Sequence, residues 1–284
     1  MTENPSLAIQ ASTTTVGSPP VTSGPHSAAR EWKFYALATM TFVASVAATI
    51  YFYRSMSGGM PMPGDWTMSM MWMRMPGQTW PAATAMFLLM WLAMMVAMML
   101  PSAMPMLLRY RRALLAHGQS RVALPTIILA AGYFFVWFGI GALVYVPGVV
   151  FALATMRSAG ISHAVPVLTG AALAISGCFQ FTSWKMCGLR QCRGSQHCPA
   201  PLVHGTPQAA WRHGLSQGAA CAICCTGPML TLLVLGAMNL TVMAIIAALI
   251  ALEKLMPKPE WIVQLSGLAA LSAGLFMILR PLLH

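Results

Sequence analysis

The stretch from Trp80 to Met106 reads WPAATAMFLLMWLAMMVAMMLPSAMPM. It carries no charge and is long enough to cross a bilayer, since a spanning helix needs about 20 apolar residues. Within it Met86, Met90, Met94 and Met98 recur every four residues, which stacks them along one helix face, with Met95 and Met99 on a neighbouring stripe. The preceding stretch, MSGGMPMPGDWTMSMMWMRM (Met56 to Met75), is broken by glycine and proline yet carries Met60, Met62, Met68, Met70, Met71, Met73 and Met75. Together the two stretches hold sixteen of the 25 methionines. Thioethers are soft ligands that select Cu(I) over harder ions. Methionine is also a flexible filler of apolar cores, so the helical stripe alone reads as packing at least as readily. The loop is the more telling half, because Met-x-Met repeats among glycines and prolines are expected to have no core of their own.

The rest of the chain agrees with a membrane protein: 58% of residues are hydrophobic, 7% are charged and the mean hydropathy is +0.69. A net charge of +11 would suggest nucleic acid in a soluble protein, but here most Lys and Arg sit in short segments beside apolar spans. There they set topology, and a nucleic-acid role is excluded. The first expected span runs from Phe34 to Tyr53. The second runs from Trp80 to Leu100, broken or kinked at its inner end by Pro101 and Pro105. The third lies within Ala123 to Val146, closed by Pro147 and Gly148, and the fourth within Val165 to Trp184. The run from Gly218 to Leu252 is too long for one crossing at about 1.5 Å per residue. It is expected to split at Gly236 to Asn239 into two spans, and a last span covers Trp261 to Leu279.

The fold class that follows is all-α, a polytopic membrane helical bundle of about seven transmembrane helices, or six if residues 218–252 are one span. Residues 1–32, rich in Ser, Thr, Pro and Gly, read as a disordered N-terminal tail, and residues 33–284 as the membrane domain. The tail lacks the basic segment of a cleavable signal peptide, so the first span is expected to be retained.

Basic residues set the expected orientation. Arg109, Arg111, Arg112 and Arg121 follow the second span, and Lys185, Arg190, Arg193 and Arg212 follow the fourth. Both segments are therefore placed in the cytoplasm, with the N-terminus inside and the methionine loop outside. Trp66, Trp72 and Trp80 suit an interfacial belt at that outer end.

All seven cysteines fall between Cys178 and Cys225. Cys178, alone in the fourth span, reads as a small buried hydrophobe. A loop group, KMCGLRQCRGSQHCP, holds Cys187, Cys192, His197 and Cys198; a second group, GAACAICCTGPM, holds Cys221, Cys224 and Cys225. Spacings of three and four residues put the second group on one helical turn at the start of the fifth span. Thiolates are strong soft ligands, favoured by nearby Lys and Arg and by a helix N-terminus. In a reducing cytoplasm a disulfide framework is the weaker reading; it returns if the orientation is inverted. Zinc is the other metal to weigh, since four-coordinate Cys sites are its usual structural form, although the loop spacing is not that of a zinc knuckle. A Cys221/Cys224 redox couple also stays open.

His163, His204 and His213 each stand alone and read as solvated loop residues. Glu253 and Lys254 form a candidate ion pair or charged end marker, and Asn239 a turn residue bonding its own backbone. With five acidic residues in the chain, no carboxylate pair and no Ser/His/Asp set, a hydrolase is not expected.

Three segments carry a resemblance: MWLAMMVAMMLPSAMP (Met90 to Pro105), the basic-flanked Lys185 to Arg193 with Cys187 and Cys192, and GLSQGAACAICC with LGAMNLTVMAIIAALIALEK. Over about residues 80–254 the chain resembles the bacterial predicted metal-binding integral membrane proteins, some of which are labelled copper chaperones. Where that family carries a Gly-Cys-Cys-Trp run, this chain has Ile223, Cys224, Cys225 and Thr226. The resemblance implies a multi-pass membrane fold and metal binding but supplies no demonstrated activity; the expected location is a bacterial inner membrane, and no enzyme is expected, with a thiol oxidoreductase left open.

The reading that joins these features is a membrane Cu(I) chaperone or permease-like conductor. Met60, Met62, Met68, Met70, Met71 and Met73 collect the ion, Met86, Met90, Met94 and Met98 pass it inward, and Cys187, Cys192, Cys198, Cys221, Cys224 and Cys225 receive it. Its partners are the lipid bilayer and a metal-accepting protein. A thiol oxidoreductase and a structural zinc-holding membrane subunit are the rivals.

Overall fold

The computed structural model describes residues 25–280 apart from 56–57, 64–65, 75–76, 120, 194–205, 237–238 and 258. Residues 1–24 of the expected tail lie outside it, and a helix is already formed at Pro25. Among the described residues the elements are α1 (Pro25–Ser55), β1 (Met60–Met62), β2 (Trp66–Met68), α2 (Trp80–Ala116), α3 (Ala123–Arg157), α4 (Ala159–Gln180), α5 (Ser183–Arg193), α6 (Pro207–Gly236), α7 (Leu240–Leu255) and α8 (Glu260–Leu279). The chain divides into two units after Thr39, the first containing the opening turns of α1.

Six helices, α1, α2, α3, α4, α6 and α8, are long and apolar enough to cross a membrane, so the fold is the expected all-α membrane bundle. The break between α6 and α7 falls where the sequence placed it. Asn239 caps α7 by accepting from the backbone N–H groups of Thr241 and Val242 at 3.0 and 3.2 Å. With 16 residues, however, α7 reaches only about 24 Å and falls short of a full crossing. Among the described residues the count of full-length spans is six for that reason, not because residues 218–252 form one helix.

Three local expectations are corrected. Pro101 and Pro105 do not end α2, which continues to Ala116, and Pro147 lies inside α3, which continues to Arg157. In a helix packed among others, neighbours re-satisfy the backbone that a proline frees. The segment holding Cys187 and Cys192 is not a loop but the helix α5, packed on α6. The methionine loop does have a core. β1 and β2 pair antiparallel with Met60 opposite Met68, and a single 3₁₀ turn, Met70–Trp72, follows. Met68 and Met71 are buried, and the Trp72 ring sits over Gly148 with its centroid 5.3 Å from that of Phe87. Trp66 is anchored too: its indole N–H donates to the Ser162 carbonyl at 3.1 Å, while the Ser162 hydroxyl donates to the Pro63 carbonyl at 2.7 Å. Of the three expected belt tryptophans, only Trp80 is exposed.

Close backbone approach builds the bundle. A Cβ added to Gly177 would stand 2.7 Å from the Gly267 carbonyl oxygen, and one added to Gly170 would stand 2.8 Å from that of Gly274. The two contacts recur seven residues apart on both α4 and α8, so the helices touch along a seam of missing side chains.

One buried polar knot ties four helices. Lys185 (α5) and Glu253 (α7) pair at 2.6 Å with both side chains almost fully buried. The second carboxylate oxygen accepts from Gln180 (α4) at 3.4 Å and Ser266 (α8) at 3.3 Å. Glu253 therefore does not pair with Lys254, as the sequence suggested, because adjacent residues on a helix point about 100° apart.

Removing one partner strands a buried charge. Lys185→Met alone should therefore cost about 3–5 kcal/mol, while Lys185→Met with Glu253→Leu should recover most of that loss. Unfolding of purified protein in detergent checks this, and a double variant no better than the single would refute it. By the same assay Gly177→Val should destabilise by about 1–3 kcal/mol through overpacking. Gly139→Val, where no atom lies within 4 Å of the added Cβ, should stay within about 0.5 kcal/mol of wild type.

Candidate metal centre

Cys221, Cys224 and Cys225 sit on one face of α6, and their ligand atoms all lie within 4.8 Å of one another. They do not open the helix as the sequence suggested. Cys221 lies about four turns in from Pro207, so the helix N-terminus contributes nothing to these thiols. Cys224 and Cys225 sulfurs are 3.6 Å apart, and Cys221 and Cys225 sulfurs 3.9 Å. A fourth sulfur comes from α5, where Cys192 Sγ lies 3.7 Å from Cys224 Sγ.

The approach of α5 depends on Gly188, where an added Cβ would stand 3.1 Å from the Ala220 carbonyl oxygen and 3.2 Å from the Cys224 amide nitrogen. Gly188 and Cys192 are four residues apart and share the face turned to α6. Cys187 lies five residues before Cys192, about 140° round the helix, and is exposed. The structure thus brings Cys192 to the cluster and leaves Cys187 outside it. Cys178 is exposed on α4 instead of buried, and Cys198, His197 and His204 lie outside the described residues.

The positive charge in hydrogen-bond contact with a cluster sulfur is Lys254. Its ammonium donates to Cys221 Sγ at 2.9 Å, and the Tyr133 hydroxyl of α3 donates to the same sulfur at 2.8 Å. Two donors converging on one sulfur place Cys221 to act as an anionic acceptor. The hydrogen bond Cys192 makes to Cys221 holds the Cys192 thiol well above its ordinary range, and burial acts the same way. Sequence reasoning missed Tyr133, a phenol in an aromatic-rich run. Lys254 did carry a signal, as a cation at the end of an apolar helix.

Sulfurs about 2.3 Å from a metal stand about 3.8 Å apart in tetrahedral and about 4.0 Å apart in trigonal geometry. The observed spacings are close to both. In front of the sulfurs opens a cavity of about 310 Å³, whose lining includes Ser102, Met106, Tyr133, Cys192, Cys221 and Lys254.

The methionines are distributed unevenly. Met90, Met94, Met95, Met98 and Met99 are buried, whereas Met86, at the other end of the row, is 39% exposed. Of the hairpin set, Met60 is exposed, Met62, Met70 and Met73 are half-buried, and Met68 and Met71 pack inside. Met71, Met90, Met94 and Met243 surround a void of about 10 Å³ together with Thr49, Tyr53 and Leu240. The four-residue row then continues through Met98 to Ser102 and Met106, which line the larger cavity. His213 stacks on Tyr110 with ring centroids 5.8 Å apart, and His163 is exposed.

Among known proteins, no curated sequence and no solved structure matches the chain. A family model, PpoB2, described as a copper chaperone, matches residues 88–277. That range takes in all four clustered cysteines, Tyr133, Lys254 and the buried methionine row from Met90 onward, and it covers well over half of the 284 residues. The chain belongs to this copper chaperone family.

Proposed function

We propose that this multi-pass membrane protein handles Cu(I) as a chaperone, holding it on Cys192, Cys221, Cys224 and Cys225 for delivery to a metal-accepting partner. The observation that carries the reading is the four-sulfur cluster drawn from two helices, spaced for one metal ion and facing a cavity. Family membership supports copper as the cargo. Cu(I) needs two or three soft ligands, and four thiols in reach let a partner's sulfur replace one while the others hold the ion.

The methionines form the approach. Met60, Met62, Met70 and Met73 of the hairpin take up Cu(I), and Met71, Met90, Met94 and Met98 pass it along α2 toward the cysteines. The void at Met90 and Met94 and the cavity at Ser102 and Met106 lie about 12 Å apart along one helix row. Thioethers are neutral and form no disulfides, so they suit an oxidising exterior, while thiolates bind more strongly in a reducing interior. The protein resides in a bacterial inner membrane with the cysteine end and the N-terminus cytoplasmic. Arg109, Arg193 and Lys254, brought to one cavity, support this orientation by the rule for basic residues. The role is binding and transfer, without catalysis. Zinc is the one other metal the geometry favours, because four thiolates at these spacings suit its tetrahedral form.

Purified protein loaded under reducing conditions should bind copper with sulfur-only coordination by X-ray absorption. Cys221, Cys224 and Cys225 replaced together by Ser should lose the high-affinity site. Zinc as the sole bound metal, or unchanged copper stoichiometry in the triple variant, would sink the assignment. For orientation, a variant keeping Cys187 as its only cysteine should react with a membrane-impermeant maleimide from the cytoplasmic face; labelling of intact cells from outside would reverse the scheme.

A further inference from the structure

The cavity before the cysteines has a composition that metal binding does not use. Its lining brings Arg109, Arg193, Lys254 and Gln217 together with Cys192 and Cys221, and no carboxylate among the described residues lines it. The Arg109 guanidinium donates to the backbone carbonyls of Arg193 and Cys192, and Arg193 donates to the Pro257 carbonyl at 3.3 Å. Both are held in place by groups that leave their charge uncancelled. The one salt bridge among the described residues, Lys185 to Glu253, involves none of the cavity's cations.

We propose that this cavity is a docking site for a small anionic thiol, a peptide or acid with free carboxylates, which exchanges Cu(I) with the cysteine cluster. The proposal rests on the Cu(I) reading above. With Lys254 balanced by Cys221, Arg109 and Arg193 leave a net positive potential in a recess with low-dielectric walls, which draws in anions and raises their on-rate. A volume of about 310 Å³ belongs to small-molecule sites and is too small for a folded partner domain. Cys192 and Cys221 on the wall select what the anion must carry, because sulfur is what a Cu(I)-bearing carrier offers to a thiol site. Lys254 is already engaged with Cys221, which leaves Arg109 and Arg193 to meet the carboxylates.

Exchange is a ligand substitution that balances without a redox partner. As each carrier sulfur–copper bond breaks, a protein sulfur–copper bond forms. The proton of the incoming protein thiol passes to the departing carrier sulfur, and copper stays Cu(I) throughout.

The test loads full-length, metal-free protein in detergent from two donors, the anionic Cu(I)–glutathione complex and the Cu(I)–acetonitrile complex, and follows copper–thiolate absorption. Arg193→Gln should slow loading from Cu(I)–glutathione about tenfold and flatten its salt dependence. Loading from Cu(I)–acetonitrile and the final copper stoichiometry should not change. Arg109→Gln should act the same way but also removes the contact to the Cys192 carbonyl beside the cluster, so Arg193→Gln, which loses only the exposed contact to Pro257, decides. S-methylglutathione, which keeps the carboxylates but lacks the thiol, should slow only the glutathione route. Equal slowing from both donors, no slowing in Arg193→Gln, or inorganic phosphate competing as well as S-methylglutathione would each overturn the proposal. If wild-type protein takes copper from neither donor, the Cu(I) reading itself fails. Direct binding of S-methylglutathione to metal-free protein, lost in Arg193→Gln, then still decides whether the cavity is an anion site.

Discussion

The pairing of Lys185 with Glu253 is the constraint on which the cysteine cluster rests. An unpaired charge at that depth would cost several kcal/mol, so α5 and α7 are held in the one mutual register that joins them. Gln180 and Ser266 complete the carboxylate's hydrogen bonds and bring α4 and α8 into the same knot. Once Glu253 is fixed, the rotation of α7 is fixed, and the next residue, Lys254, is turned about 100° round the helix onto Cys221. On α5, Lys185 and Cys192 are seven residues apart and so fall on nearly the same face. The pair that anchors α5 thereby also aims Cys192 at Cys224.

Glycine lets this register be reached. The α5 backbone settles on α6 at Gly188, and α4 settles on α8 at Gly170 and Gly177. Membrane helices gain little from the hydrophobic effect on meeting one another, so close backbone contact and buried polar pairs must supply the association. Both devices occur in this chain, the glycine seam between α4 and α8 and the polar knot where α5 and α7 join them.

Much of the fold was legible because a bilayer forces long apolar runs, and such runs need no tertiary information to be seen. The break before α7 was legible for a similar local reason, since Asn239 is a capping residue between two helix-forming stretches. What failed to show were elements whose structure depends on partners far away in sequence. The hairpin folds because Trp66 finds Ser162 and Trp72 finds Phe87, and α5 folds because Gly188 fits α6. At the site, the three cysteines of α6 were legible from helical spacing alone. The choice of Cys192 over Cys187 was not, because it is set by the rotation of α5. Lys254 was visible as a charge but not as a sulfur partner, since its neighbour Glu253 offered a nearer pairing that helix geometry forbids.

The two kinds of sulfur in the proposed route also differ in what they require of the protein around them, and the distribution of charge follows that difference. Cu(I) on thioethers alone keeps its full positive charge, which is costly in a low-dielectric interior. In the proposed route a methionine row would therefore hold the ion weakly and release it readily. Cu(I) on two or three thiolates is anionic, and burying it requires a nearby cation. Lys254 is placed for that role, at 2.9 Å from Cys221 before any metal arrives. A buried cation with no anion would itself be expensive, so the lysine and the thiolate stabilise each other in the metal-free protein. Bound copper preserves that arrangement, because the metal-thiolate group remains negative. Under the proposed role the same residue would thus stabilise the cluster with and without its cargo, and the methionine end of α2 would need no such counter-charge.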